Sequence, residues 1–354
     1  MRDELPVMRA FKPRWTKIWS VVALTALAGT LAAYGQTRPD VAEVHVGIGT
    51  AAYRAKPAGP YAQLYRPYIE MSALAYTDSE LLDRRLCPDA AKFGDPRLKA
   101  RESAAFQNPE GRRWFDDLRR NGWSCLFGQV GAVGCPPSHE CVGGLEFHVW
   151  RRADCGEAVI AFRGSDEGDV GDWISNMRWF VRHTLLDQYD QVRAAIPHII
   201  KRVNQFGCRP RRIVATGHSL GGGLAQHVAL AHRGIHYVYA FDPSPVVGFF
   251  DVPWSQRNVT SETLGIDRVY ESGEVLSLPR YLASGLMAST ACRPRIRIVR
   301  FQTPEVPSRI ERHRVGHMTR SLVAQAQGPK VAHLPFGFAN ARDCDLSGHN
   351  PEMN

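Results

Sequence analysis

The sequence predicts an α/β fold in which a mostly parallel sheet is flanked by helices. Apolar strands at 157–162, 213–216 and 237–241 are the first observation. A helical pattern from Leu185 to Val203, with apolar residues at three- and four-residue spacing, lies between the first two of these strands. Shorter strands at 268–270 and 296–300 continue the strand–helix alternation, which is typical of a parallel sheet.

A glycine-rich stretch, GHSLGGGLA at 217–225, joins the strand at 213–216 to an apolar helical run at 228–231. A serine at the apex of such a strand–turn–helix unit is the G-x-S-x-G nucleophile elbow of an α/β-hydrolase. A phosphate-binding loop would carry Lys followed by Ser or Thr after the glycines, whereas Leu224, Ala225 and Gln226 follow here. The motif therefore predicts Ser219 as a nucleophile.

A second hydroxyl residue, Ser165, follows the buried strand at 157–162. Acyl transfer needs two N–H donors directed at the developing oxyanion. In a hydrolase one donor is the backbone of the residue after the nucleophile, here Leu220, and the other comes from a different strand end. Ser165 is placed in the chain order to supply that second donor.

These two motifs, FRGS at 162–165 with Asp172-Trp173 and GHSLGG at 217–222, resemble the class 3 lipases, the family of fungal triglyceride lipases and their bacterial and plant relatives. The similarity is at the level of motifs over about 61–322. The resemblance implies that Ser165 offers its amide and hydroxyl to the oxyanion and that Asn176 steadies that hydroxyl. It also implies a helical lid, and several members have phospholipase activity.

The family carries its acid after a late strand, in a pattern like R-V-x-x-x-x-D-x-V-x-x-x-P. The chain reads RVYESGEVLSLP at 268–279, so that Glu274 stands where the family usually has Asp. A Glu can also hold the imidazole tautomer and stabilise the imidazolium. Asp242, at the end of the strand after the elbow helix, is the alternative acid, although an Asp before Pro is also a common turn former. Asp267 is a weaker third candidate.

The base should follow the acid, which leaves His313, His317, His333 and His349. We expect His317 to be the base, because Gly316 beside it and a predicted final helix at 318–326 would let its imidazole reach Ser219. His313 is the alternative, since its cationic neighbours Arg312 and Arg314 would disfavour protonation. The remaining histidines, His218 and His227 among them, are expected to be bystanders.

The N-terminus predicts export, because four basic residues between Arg9 and Lys17 precede an uncharged segment at 18–37. The segment fits a signal peptide cleaved before Gln36, and it is also long enough to remain as an inner-membrane anchor. The mature protein would then be periplasmic or secreted, or held at the membrane. All eight cysteines follow this segment, which indicates disulfides. The sequence contains no C-x-x-C pair, so a zinc site is not indicated.

The predicted organisation is a signal or anchor at 1–35, a linker at 36–60, a hydrolase domain at 61–330 with a Cys-rich insertion at 86–144, and a tail at 331–354. The net charge of +9 is scattered and is compatible with an anionic membrane surface. Motifs typical of nucleic-acid binding are absent from the sequence.

Together these patterns predict a serine ester hydrolase acting on lipid acyl esters, by chemistry that requires no cofactor or metal. Two alternatives stay open. One is an acyltransferase or thioesterase on the same scaffold. The other is an exported binding protein that has lost turnover, since fold alone does not establish activity.

Overall fold

A computed structural model describes residues 40–46, 53–76, 109–129, 145–165, 188–245, 247–277, 294–303 and 308–326. All of them belong to one compact unit, Pro39–Asn354. The predicted signal or anchor, the predicted tail at 331–354 and most of the predicted insertion lie outside these residues. So does the segment that carries Asn176.

The described strands form one nine-stranded sheet in the order β2-β1-β9-β8-β7-β6-β5-β4-β3. The strands are β1 (Val41–Val46), β2 (Arg54–Pro57), β3 (Trp123–Gln129), β4 (Phe147–Arg152), β5 (Glu157–Phe162), β6 (Arg212–His218), β7 (Tyr237–Phe241), β8 (Gly265–Glu271) and β9 (Arg295–Phe301).

Five adjacent strands, β5 to β9, run parallel to one another in the middle of the sheet. Every residue of β5 is buried, because both faces of a central parallel strand are covered by helices. This is why the strand reads as the nearly uninterrupted apolar run EAVIAF. The predicted α/β fold with a parallel centre is confirmed, and the edges make the whole sheet mixed.

The antiparallel edges were not foreseen in full. β1 pairs with β9, setting Val44 against Val299, and β2 pairs with β1. The linker expected at 36–60 is therefore corrected, because part of that segment extends the sheet. On the opposite edge β3, from within the expected insertion, pairs with β4. β2 has only four residues and β3 (WSCLFGQ) shows no regular alternation, so their local pattern is weak and their partners in the sheet define them.

Helices cover both faces of the sheet. They are α1 (Ala58–Leu74), α2 (Pro109–Arg120), α3 (Gln188–Gln205), α4 (Leu220–Ala231), α5 (Trp254–Ser261), α6 (Arg309–Arg312) and α7 (Val315–Gln325). A 3₁₀ turn at Phe249–Asp251 precedes α5. Within the described part of the chain, no helix combines the length and the apolarity needed to span a membrane.

Two apolar clusters lie on opposite faces of the sheet, because successive side chains of a strand point to opposite sides. In β5, Val159 and Ala161 pack with residues of α1, α2 and α7. Ile160 and Phe162, which alternate with them, pack with residues of α3 and α4. The elbow helix α4 is therefore held between the sheet and α3.

A disulfide joins Cys155, in the turn between β4 and β5, to Cys208 in the loop before β6. Cys125 in β3 is disulfide-bonded as well. The other five cysteines lie outside the described residues. A disulfide in this position is compatible with export into an oxidising compartment.

Candidate active site

The polar residues of the candidate site follow the carboxyl ends of adjacent parallel strands. Ser165 follows β5, Ser219 follows β6, Asp242 follows β7 and Glu274 follows β8. Since parallel strands end at the same edge of the sheet, their loops build one crevice there. Residues far apart in sequence are thereby brought to one place.

Ser219 sits in a strained turn between β6 and α4, with a φ of 55° and a ψ of −124°. A positive φ is costly for a residue with a side chain and is typical of a functional site. Its N–H donates to the carbonyl of Phe241 at 3.0 Å, and its own carbonyl accepts from the N–H of Ser244 at 2.9 Å. These bonds to the end of β7 hold the turn in place.

The glycines of the elbow allow the backbone to approach closely, as the sequence indicated. A Cβ on Gly217 would lie 2.3 Å from the carbonyl carbon of Gly221. A Cβ on Gly221 would lie 2.3 Å from the carbonyl oxygen of Phe162 at the end of β5. Only glycine fits at these positions, and the close approach brings the FRGS turn against the start of α4.

The imidazole of His313 lies between a hydroxyl and a carboxylate. Its Nε2 is 3.0 Å from Ser219 Oγ, and its Nδ1 donates to Glu274 Oε2 at 2.9 Å. All three residues are buried, with Ser219 7% exposed, His313 2% and Glu274 1%. A nucleophile, a base and an orienting acid in this geometry can carry out covalent acyl transfer.

The expectation that His317 reaches Ser219 is corrected. The last helix, α7, begins at Val315, before the expected start at Met318, so that His317 lies in its first turn. There its Nε2 is 2.9 Å from Glu271 Oε1. His317 is thus engaged with the carboxylate at the end of β8, and His313 takes the position beside the serine.

The cationic neighbours of His313 are directed to other partners. Arg312 donates to the carbonyl of Ser272 at 2.9 Å, and Arg314 forms an ion pair with Glu311 at 3.2 Å. The sequence argument against His313 also left out the carboxylate of Glu274, which contacts the imidazole directly. The short helix α6 ends at this histidine and turns its ring into the crevice.

Glu274 is held by its own turn. Its carboxylate accepts from the N–H of Leu276 at 2.8 Å and from the hydroxyl of Ser277 at 3.2 Å, in addition to His313. The alternative acid, Asp242, is fully buried and accepts from the N–H of Glu271 at 3.0 Å. Glu274 therefore contacts the imidazole nitrogen directly, and Asp242 ties the ends of β7 and β8 together.

A small pocket opens beside the serine. It is lined by Tyr76, Ser165, His218, Ser219, Ile310, His313 and Arg314. Ser165 thus lies at the same pocket as the nucleophile, and Leu220 is the first residue of α4, directly after the serine. Asn176, expected to support Ser165, lies outside the described residues.

Sequence reasoning did not assign Tyr76 or His218 to this pocket. The hydroxyl of Tyr76 lies 3.1 Å from His218 Nδ1 and donates to the His218 carbonyl at 3.2 Å. The ring of His218 packs against that of His313, with centroids 4.9 Å apart. The place of His218 next to the nucleophile was the available signal, but Tyr76 had none, since only the fold brings the end of α1 to the elbow.

Three buried groups near the serine have ligand atoms within 4.8 Å of one another: His218, Asp242 and His313. Nitrogen and carboxylate ligands of this kind suit a zinc-like cation. Both ring nitrogens of His313 already contact Ser219 and Glu274, so a cation bound there would displace one of those contacts. The acyl-transfer geometry needs no cation.

Residues 140–238 match the family model of the Tle-like phospholipase domain, described as phospholipase-like. This segment of the chain is therefore similar to a phospholipase-like domain. The matched segment includes Ser165 and Ser219 and ends before Glu274 and His313. It confirms the resemblance to lipases that the two motifs indicated, and it supports a carboxylic ester hydrolase acting on lipids. No curated protein matches the chain in sequence.

Solved lipase structures are also similar to this chain. A deletion variant of the Rhizomucor miehei lipase propeptide complex is 14% identical, with 70% of each chain covered and a TM-score of 0.40. Lipase II from Rhizopus niveus is 12% identical, with 68% of this chain and 80% of that chain covered and a TM-score of 0.39. Lip2 lipase from Yarrowia lipolytica is 12% identical, with 67% and 77% covered and a TM-score of 0.37.

Proposed function

We propose that this protein is a serine hydrolase that cleaves acyl esters of lipids, with phospholipids as the favoured class. The observation that carries the proposal is the continuous hydrogen-bonded chain from Ser219 through His313 to Glu274. The phospholipase-like domain supports the lipid substrate.

In the proposed reaction, His313 Nε2 takes the proton of Ser219 as the hydroxyl oxygen attacks the ester carbonyl. The tetrahedral oxyanion is stabilised by the backbone N–H groups of Leu220 and Ser165. The protonated imidazole then gives its proton to the departing alcohol, leaving an acyl-enzyme. A water molecule, deprotonated by the same imidazole, releases the fatty acid and regenerates the serine.

Glu274 acts on this reaction through the imidazole. By accepting a hydrogen bond from Nδ1–H it keeps the proton on Nδ1 and leaves Nε2 free to receive a proton from the serine. Its negative charge also stabilises the imidazolium that forms during attack. Burial strengthens this attraction because little water screens the pair.

The cellular setting is also a proposal. The N-terminal pattern and the disulfide together support export, and the positive net charge supports contact with anionic membrane lipid. An exported enzyme of this kind would meet its substrate at a membrane surface.

A fluorophosphonate probe tests the nucleophile directly, because it forms a covalent bond with an activated serine. We expect wild-type protein to be labelled on the peptide that contains Ser219, and Ser219→Ala to lose the label. Ser124→Ala, which changes an exposed serine on β3, is the matched control and should label like wild type.

Substrate class is tested by fatty-acid release from phospholipid vesicles and from a triglyceride emulsion. Release from vesicles that disappears in Ser219→Ala supports the proposal. Full hydrolysis by Ser219→Ala would overturn the assignment of the nucleophile. A folded wild-type protein that neither labels nor hydrolyses any ester would favour the alternative of a binding protein.

A further inference from the structure

Exposed apolar side chains are concentrated in one short segment. Among the described residues four large hydrophobic side chains are exposed, namely Phe250 (72%), Trp254 (73%), Val259 (40%) and Ile310 (42%). Three of the four lie within 250–259, on the connection between β7 and β8. A cluster of exposed aromatic residues on a soluble surface marks an interaction site more often than single exposed residues do.

The segment has an ordered local structure. The rings of Phe249 and Phe250 pack edge to face, with centroids 5.4 Å apart and an interplanar angle of 89°. The guanidinium carbon of Arg257 lies 3.8 Å from the centroid of Phe249 and 5.8 Å from that of Phe250. We call Phe249, Phe250, Trp254 and Arg257 the aromatic patch.

Arg257 brings a positive charge to the patch. Arg257 is half-buried. Within the described part of the chain it forms no ion pair, and its Nε and Nη1 are buried without a hydrogen-bond acceptor. The guanidinium contacts the face of an aromatic ring, and Nη2, which is not among its buried nitrogens, is the atom that can meet an anion. A phosphate next to the patch would complement this charge.

The patch is fixed to the body of the protein. Val252 is buried between the 3₁₀ turn and α5. The hydroxyl of Thr260 donates to the carbonyl of Leu230 at 2.7 Å, and Gln256 donates to the carbonyl of Ala231, so that α5 is attached to the elbow helix α4. A patch held this way can insert side chains without rearrangement of the fold.

The same connection begins at the candidate active site. Asp242 and Ser244 open it, and the N–H of Ser244 donates to the carbonyl of Ser219. The chain then turns at Gly248, where φ is 56°, and presents Phe249 and Phe250. The connection therefore runs from the nucleophile, at the start of α4, to α5, which is hydrogen-bonded to the last residues of α4.

We propose that the aromatic patch is a docking surface for an anionic phospholipid bilayer, in which Phe250 and Trp254 insert at the interface and Arg257 pairs with a lipid phosphate. Trp and Phe beside a basic residue are typical of surfaces that lie in the headgroup region. The net charge of +9 adds a general attraction to the same lipids. The inference rests on the proposed function, for which it names the surface that meets the substrate.

Binding is tested apart from hydrolysis by using full-length Ser219→Ala protein. It is sedimented with vesicles of phosphatidylcholine alone or mixed with phosphatidylglycerol. The bound fraction should be larger with phosphatidylglycerol, and Phe250→Ala/Trp254→Ala should lower the partition coefficient about tenfold or more on both vesicles. Arg257→Gln should lower it about fivefold on the anionic vesicles alone, as expected for one basic residue at a charged surface.

Arg113→Gln is the matched charge control, because Arg113 is an exposed arginine on α2, which lies on the opposite face of the sheet. It should bind like the parent protein. Thermal unfolding checks that every variant is folded, and the single change Phe250→Gln provides a milder second test of the same surface.

Activity of the same changes in the wild-type background separates the two proposals. The patch variants should retain hydrolysis of a water-soluble nitrophenyl ester and lose hydrolysis of vesicle phospholipid. If wild type cleaves neither the soluble ester nor vesicle phospholipid, the proposed function fails and the binding result still decides the docking surface. Equal vesicle binding by parent and double variant would overturn the docking proposal, as would binding to neither vesicle, in which case the patch would fit a protein partner.

Discussion

Nε2 of His313 lies 3.0 Å from Oγ of Ser219, although 94 positions separate the two residues in the chain. The imidazole reaches the serine because α6 ends at the edge of the sheet where β6 also ends. Its other nitrogen contacts Glu274, which gives the order Ser, Glu, His along the chain.

Replacing each of the two C-terminal histidines should distinguish their roles. We expect His313→Ala to reduce kcat by about 10⁴-fold or more, because the proposed base is lost. His317→Ala should reduce it by about tenfold or less, since His317 contacts Glu271 and not the serine. Steady-state kinetics with a soluble ester measures both. A larger loss in His317→Ala than in His313→Ala would contradict the assignment.

The acid can be tested with charge-removing changes of similar shape. Glu274→Gln should lower kcat by about 10³- to 10⁴-fold, because an amide cannot hold the same imidazole tautomer and stabilise its charge. Asp242→Asn is the comparison, and its loss of kcat should be much smaller, since Asp242 accepts from the backbone of Glu271. Equal losses in the two variants would indicate that both carboxylates serve the base.

A single methyl group at the elbow should disturb both packing and catalysis. In Gly221→Ala the new Cβ would overlap the carbonyl oxygen of Phe162, so that α4 and the FRGS turn must separate. We expect a loss of about 1–3 kcal/mol in unfolding free energy and about 10²-fold in kcat/KM. Gly316→Ala is the control, because its Cβ would meet only the Arg320 side chain at 3.6 Å. Urea denaturation and ester kinetics report the two effects.

The bridge between Cys155 and Cys208 should stabilise the fold without serving the chemistry. It spans 53 positions, and removing it in Cys155→Ala/Cys208→Ala should cost about 2–4 kcal/mol of unfolding free energy. The bridge precedes β5 and β6, whereas the site follows their carboxyl ends. Activity at low temperature should therefore be retained while the midpoint of thermal unfolding falls. An unchanged midpoint would show that the bridge contributes nothing.

The unfolding free energy should decrease at acidic pH, because the buried His227 resists protonation in the folded protein. Burial lowers the pKa of His227 to about 4, below its ordinary value of 6.5. Between these values the unfolded chain binds a proton that the folded protein does not, so stability is full above pH 6.5 and is lost as the pH falls toward 4. One such group contributes about 2–3 kcal/mol to the loss between pH 7 and pH 4.5.

His227→Gln tests this contribution. The amide can still donate to the carbonyl of Val247, which His227 Nδ1 contacts at 3.1 Å. The variant should lose less unfolding free energy than wild type over the same pH range, measured by urea denaturation at each pH. Identical pH dependence in the two proteins would exclude His227 as the source.

The sequence by itself determined the centre of the fold. The limits predicted for the strands at 157–162 and 237–241 agree with β5 and β7, because a strand buried on both faces has an apolar run that needs no knowledge of its partners. The elbow was also predictable from local sequence, because a G-x-S-x-G motif between a strand and a helix is typical of a nucleophilic serine. The order of strands then brought Ser165, Ser219 and Glu274 to one edge.

Only the tertiary structure decided which histidine meets the serine. His313 and His317 both follow the acid, and their selection depends on where α6 ends and where α7 begins. The edge strands β1, β2 and β3 were missed for a related reason, because a short or irregular segment becomes a strand only when its hydrogen-bonding partner lies beside it. Local periodicity was therefore enough to predict the buried central strands. The edge strands and the identity of the base depend on contacts between residues far apart in the chain.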